Sequence, residues 1–166
     1  METPRRRQSR EGTTFINRHP QKKPRVMTIE ARPYGPETAP AERQELRERV
    51  WRLEEGLFMI LEVPVQTPYT LDLMFDRLEE LATGLDRFAY VTDLSRVKRP
   101  DAPTRERLRQ RVAHINPRLA HVGIVIGANA VIRAVAKMAA YAIGFRSISF
   151  HDSVDDAVEA CRRALR

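Results

Sequence analysis

Along residues 70–165 the apolar positions recur with two periods that alternate. Leu71, Met74, Phe75, Leu78, Leu81, Ala82 and Leu85 fall three or four apart, which predicts an amphipathic helix after a Thr70 cap, stopped by Gly84. Phe88 to Thr92 is rich in aromatic and β-branched residues and predicts a strand. Leu108, Val112 and Ile115 form the next helical stripe, ended by Asn116-Pro117. His121 to Gly127 is almost wholly apolar, as a central strand covered on both faces should be. Asn129 can cap a helix from Ala130 to Ile143, closed by Gly144. A short strand, Arg146 to Phe150, precedes Ser153, the expected cap of a last helix with core positions Val154, Ala157, Val158, Cys161 and Leu165. Upstream, the runs Val50 to Leu53 and Leu57 to Val63 flank Glu54-Glu55-Gly56 and suggest a hairpin, with a charged helix over Ala41 to Leu53 as the alternative. The alternation calls for an α/β domain. Its sheet should be single and mixed, mainly parallel, of about four to five strands, with about four helices and right-handed crossovers.

The pattern is missing before residue 41. Six of the 11 prolines lie in residues 1–40, with Arg5-Arg6-Arg7 and Lys22-Lys23 and few large apolar groups. Such a stretch buries too little surface to offset its ordering, so 1–40 is expected to be a basic disordered arm and 41–166 the folded domain. Charge is as uneven as hydropathy. Residues 1–40 hold nine Lys and Arg against four acids, 41–94 six against twelve, and 95–118 eight against two. The net +7 therefore sits in two places, and it favours an acidic partner: nucleic acid, an anionic membrane or an acidic protein. Cys161 is the single cysteine, which excludes an internal disulfide and any cysteine-clustered metal site. No stretch has the form of a signal peptide or approaches a membrane span, so a cytoplasmic protein is expected.

Three stretches, in order, are Phe88-Ala-Tyr-Val-Thr-Asp93-Leu-Ser95, Ala120 to Asn129 followed by Val131-Ile-Arg133, and Ile148-Ser-Phe-His-Asp-Ser153-Val-Asp-Asp-Ala157. Together they resemble the STAS domain, the fold of anti-sigma-factor antagonists, most closely its divergent SpoIIAA-like branch. The resemblance covers about residues 48–165 and implies a non-enzymatic module that switches protein partners. Where phospho-regulated members carry an Asp-Ser-Ser-Gly motif, this chain has Asp101-Ala-Pro-Thr104, which lacks both serine places and the glycine. Thr104 is the nearby hydroxyl, and Pro103 suits a helix start.

The second basic concentration comprises Arg96, Lys98 and Arg99 in a loop, then Arg105, Arg107, Arg109 and Arg111 on a helix. The pairs 105/109 and 107/111 are like charges at i,i+4, which weaken the helix unless an anion lies nearby. That anion could be the acidic segment 41–94 of the same or another molecule, a nucleic-acid backbone, or lipid head groups. Together with Thr104 these residues form the expected partner or anion site. Strand ends offer Asp93, Ser95, Asn129 and His151, but no Gly-x-Ser-x-Gly elbow accompanies them, so no catalytic residue is assigned. The four histidines share no metal-ligand spacing, and no phosphate loop occurs; neither metal nor cofactor is expected. The helix from Ala130 is apolar nearly all round apart from Arg133 and Lys137. Either a partner helix or a second copy covers its Ala-rich side, or it lies at an anionic membrane surface; the small alanines, which permit close packing, favour the protein contact. The expected function is regulation or scaffolding by protein–protein contact. The alternative is weak nucleic-acid or anionic-lipid binding through the arm and the Arg-rich helix, with the domain dimerising.

Overall fold

The hairpin reading of the segment before Leu57 holds, and the alternative helix over Ala41 to Leu53 is confined to its first half. The computed structural model, which describes residues 30–126 and 130–166, has a helix α1 (Pro40–Glu48) that leads directly into β1 (Val50–Glu54). The turn after β1 uses Gly56 at φ +73°, a conformation that costs other residues about 1 kcal/mol or more. It returns the chain as β2 (Leu57–Leu61), antiparallel to β1. There follow α2 (Pro68–Leu81), β3 (Phe88–Asp93), α3 (Ala102–Ile115), β4 (Leu119–Val125), α4 (Ala130–Ile143), β5 (Ile148–His151) and α5 (Val154–Leu165). The described residues thus hold five strands and five helices, α1 being the addition to the expected set.

The sheet runs in the order β1-β2-β3-β4-β5, with β2 to β5 parallel. When sequential parallel strands are joined by right-handed crossovers, every crossover helix falls on one face. The core divides accordingly. One cluster gathers Leu71, Met74, Val112 and Ala140 from α2, α3 and α4 around Phe58 and Phe88 of the sheet. The other places Ala157 and Cys161 of α5 against Leu57, Met59 and Val91. On that second face Gly123 is required, because a Cβ there would stand 2.9 Å from the Ala157 carbonyl oxygen, closer than packed atoms tolerate.

Several element ends shift by a few residues, as with β4 and β5, and two further boundaries differ for a clear physical reason. The cap of α2 is Thr67, not Thr70. Thr67 Oγ1 accepts from the Thr70 amide at 3.1 Å and Thr70 Oγ1 accepts from the Thr67 amide at 2.9 Å, a reciprocal capping box with Pro68 opening the helix. The folded domain also begins before residue 41. Tyr34 is 5% exposed and packs with Leu46 of α1 and Val63, while Thr67 Oγ1 donates to the Tyr34 carbonyl at 2.8 Å. Arg43 reaches back to the Thr38 carbonyl at 3.1 Å, and Arg32 pairs with Glu42. One buried aromatic ring between Pro33 and Pro36 anchors the segment, although its composition reads as an arm. Residues 1–29, on which the rest of the arm expectation falls, lie outside the described residues.

Candidate functional site

Three of the four repelling arginines of α3 find an anion within the molecule. Arg107 Nε meets Asp72 Oδ1 at 2.8 Å, and Arg111 Nη2 meets Asp76 at 2.7 Å and Glu79 at 2.8 Å, all on α2. Arg109 pairs with Glu106 one turn back at 2.6 Å, and Arg105 donates to the Pro100 carbonyl at 2.7 Å. Arg111 is the most enclosed of these, with its guanidinium 5.7 Å from the centre of the Phe75 ring. For Arg107 and Arg111, the acidic segment of the same chain is the alternative realised. Arg105 and Arg109 stay exposed, and Arg105 has no carboxylate partner within salt-bridge distance among the described residues. Thr104 does not join an external anion site. It is 1% exposed in the first turn of α3, where its amide donates 2.9 Å to the capping Asp101 carboxylate, so no phosphate donor reaches its hydroxyl in the folded state. Arg96, Lys98 and Arg99 remain. They are exposed in the loop between β3 and α3 and make no ion pair with any described residue.

The strand ends do not assemble into one centre. Asp93 accepts from the Ser95 amide at 2.9 Å, a turn-forming contact. Register places Asp93 and His151 on opposite sides of Val125, roughly 10 Å apart at two strand spacings. Asn129 lies outside the described residues, as does the side chain of Arg133. Ser153 caps α5 through the Asp156 amide at 3.2 Å.

What the strands do bring together is a network that sequence spacing passed over. His121 contacts Ser147 Oγ through Nδ1 at 2.8 Å and Ser149 Oγ through Nε2 at 2.7 Å, and Ser149 Oγ lies 2.5 Å from His151 Nε2. Ser147, Ser149 and His151 alternate along one strand and so share a face, a period-two signal that was available. Burial first, then the charges of His151 and Arg163, holds the His121 imidazolium below its ordinary pKa of 6.5. The unfolded chain consequently takes up this proton first as pH falls. The stability contributed by neutral His121 is complete above about pH 6.5 and is lost below it. Wild type should lose more stability than His121→Asn between pH 7.5 and pH 5 in urea melts; parallel losses would contradict the assignment. Glu62 titrates with the opposite sign, and the comparison of the two proteins removes it.

Beneath α4 lies a cavity of about 400 Å³ between that helix and the C-terminal ends of the parallel strands. Its cause is side-chain volume. α4 rests chiefly on α3 and turns Ala136, Ala139 and Ala140 towards the sheet, and methyl groups do not reach Ile124 and Phe150 opposite. Glu62 lines the cavity, accepting from Gln66 Nε2 at 2.9 Å and Thr92 Oγ1 at 3.2 Å. Burial pushes its pKa up from the ordinary value, opposed by those two hydrogen bonds and by the charge of Arg49. Arg49 is itself buried and donates to the Leu61 carbonyl at 2.7 Å and the Glu62 carbonyl at 2.9 Å. Glu62 escaped the sequence reading because it lies inside the apolar run 57–63; the signal was a lone carboxylate in a strand pattern. Lys98 and Arg99 stand at the cavity's edge.

On the outer side of α4, the described side chains Lys137, Met138, Tyr141 and Ala142 are exposed. Met138 is 75% and Tyr141 57% exposed, the large apolar side chains of the described residues that remain in solvent, and Lys137 is exposed beside them. No protein-family model matches this sequence, and no curated protein matches it. No described helix is long and apolar enough to cross a membrane.

Proposed function

We propose that this chain is a non-enzymatic regulatory or scaffolding module that works in the cytoplasm by binding a protein partner along the outer face of α4. The observation that carries the reading is the exposure of Met138 and Tyr141, one helical turn apart, on a chain whose other large apolar groups are buried or half-buried among the described residues. Ala142, also exposed there, lets a partner backbone approach closely. With Lys137 beside the stripe, the face suits a partner helix that is apolar with an acidic flank. The resemblance to STAS domains points the same way, towards partner binding without the phosphoacceptor serine. Polyanion binding through α3 loses support because Arg107, Arg109 and Arg111 are paired inside the molecule.

Met138→Glu with Tyr141→Glu tests the reading. Both positions are exposed, so the melt should stay within about 0.5 kcal/mol of wild type. Sedimentation of the complex isolated from cells should show the partner lost, an affinity fall of roughly a hundredfold for a central pair of contacts. A complex that survives both substitutions, or one dispersed by nuclease, would refute the proposal.

A further inference from the structure

We infer that the cavity beneath α4 is a binding site for an amphipathic monocarboxylic acid, of the class of a medium-length fatty acid, held tail inward with its carboxylate at Lys98 and Arg99. The inference is independent of the docking face, which lies on the opposite side of the same helix.

Size and lining define the tail. A cavity of about 400 Å³ lies within the roughly 300–1,000 Å³ of small-molecule sites. Phe75, Leu108, Ile124, Ile126, Phe145 and Phe150 supply walls without hydrogen-bonding groups, so the occupant's inner part must be hydrocarbon.

The polar groups of the lining differ, and the difference places the head. Glu62 is a carboxyl group whose acceptor capacity is already met in part by Gln66 and Thr92. An acidic head placed beside it would meet a like charge, and the neighbouring Arg49 guanidinium is already engaged by the Leu61 and Glu62 carbonyls. Lys98 and Arg99 line the same cavity and make no ion pair with any described residue, although Arg107 and Arg111, which follow them on α3, are engaged. Two unpaired cations beside an apolar hole fit an anion with an apolar tail. A neutral lipid would leave them unused, and a cationic amphiphile would be repelled on entry.

The test titrates the full-length protein with decanoate, decan-1-ol and decylamine, which share a tail and differ in head charge, followed by calorimetry and by shifts of the Ile and Leu methyl resonances. Decanoate should saturate the site and bind about tenfold more tightly than the alcohol, the value of one charge-assisted hydrogen bond at 1.4 kcal/mol. Decylamine should bind worst. Lys98→Ala with Arg99→Ala should bring decanoate down to the level of decan-1-ol while leaving the alcohol unchanged. Ala140→Leu, which fills the cavity, should weaken all three ligands. Ala139→Leu at the exposed lining gives the same reading if Ala140→Leu fails to fold. Absence of saturable decanoate binding at millimolar concentration, tighter binding of decylamine, or decanoate affinity indifferent to the Lys98 and Arg99 substitutions would overturn the inference. Binding by anionic vesicles but not by monomeric decanoate would do so too, since it would assign the cations to a membrane surface.

Discussion

Tyr34→Ala in the full chain is expected to lower stability by about 3–5 kcal/mol, the range for removing a buried aromatic ring. The ring is 5% exposed, it fills the space between Leu46 of α1 and Val63 after β2, and its carbonyl receives the Thr67 hydroxyl that also caps α2. Losing it frees the 30–40 segment and removes one of the apolar contacts that hold Leu46 of α1. A chain starting at residue 41 should be at least as unstable as the point variant, with a melting temperature roughly ten degrees below that of a chain starting at residue 30. Coincident melts would show that the domain begins where proline and charge composition place it.

A comparable loss, about 3–5 kcal/mol, is expected for Phe58→Ala at the centre of the larger core cluster. Phe58 is fully buried, and its ring meets Phe88 edge to face at 6.0 Å and 71°, while the Arg52 guanidinium lies 5.8 Å from its centre. The aromatic pair adds about 0.5–1.5 kcal/mol beyond burial alone. In urea the midpoint should fall with an unchanged slope if the variant keeps the same fold. Met138→Ala is the matched control. It removes a similar volume from an exposed position and should change stability by no more than about 0.5 kcal/mol.

These two residues show what the sequence made legible. Phe58 stood in a strand pattern, and every element with a sustained period was readable. The helix over Ala130 to Ile143 and its Gly144 stop agree with α4 and with φ +103° at that glycine. Tyr34 belongs to no pattern, because one aromatic ring among prolines has no period to declare it. The start of α2 was placed at the wrong threonine because Thr67 and Thr70 are both part of one capping box, and spacing alone does not say which is outside the helix. The pairing of α2 with α3 is made across about 35 residues, as between Asp72 and Arg107, and no local window contains it. The opposite charges of the two segments were visible, but their meeting is a consequence of the sheet order. The cavity was least legible. It arises from volume that three alanines do not fill, and the same alanines suggested only a close-packed outer surface.

The central claim, protein contact along the outer face of α4, is tested most directly by placing a photoreactive phenylalanine at Tyr141 in living cells and, as a control, at Arg105 on α3. The account predicts one dominant adduct from position 141 that is destroyed by protease, resists nuclease, is absent from position 105 and disappears when Met138→Glu is added. Equal adducts from both positions, a nuclease-sensitive adduct, or an adduct indifferent to Met138→Glu would contradict it.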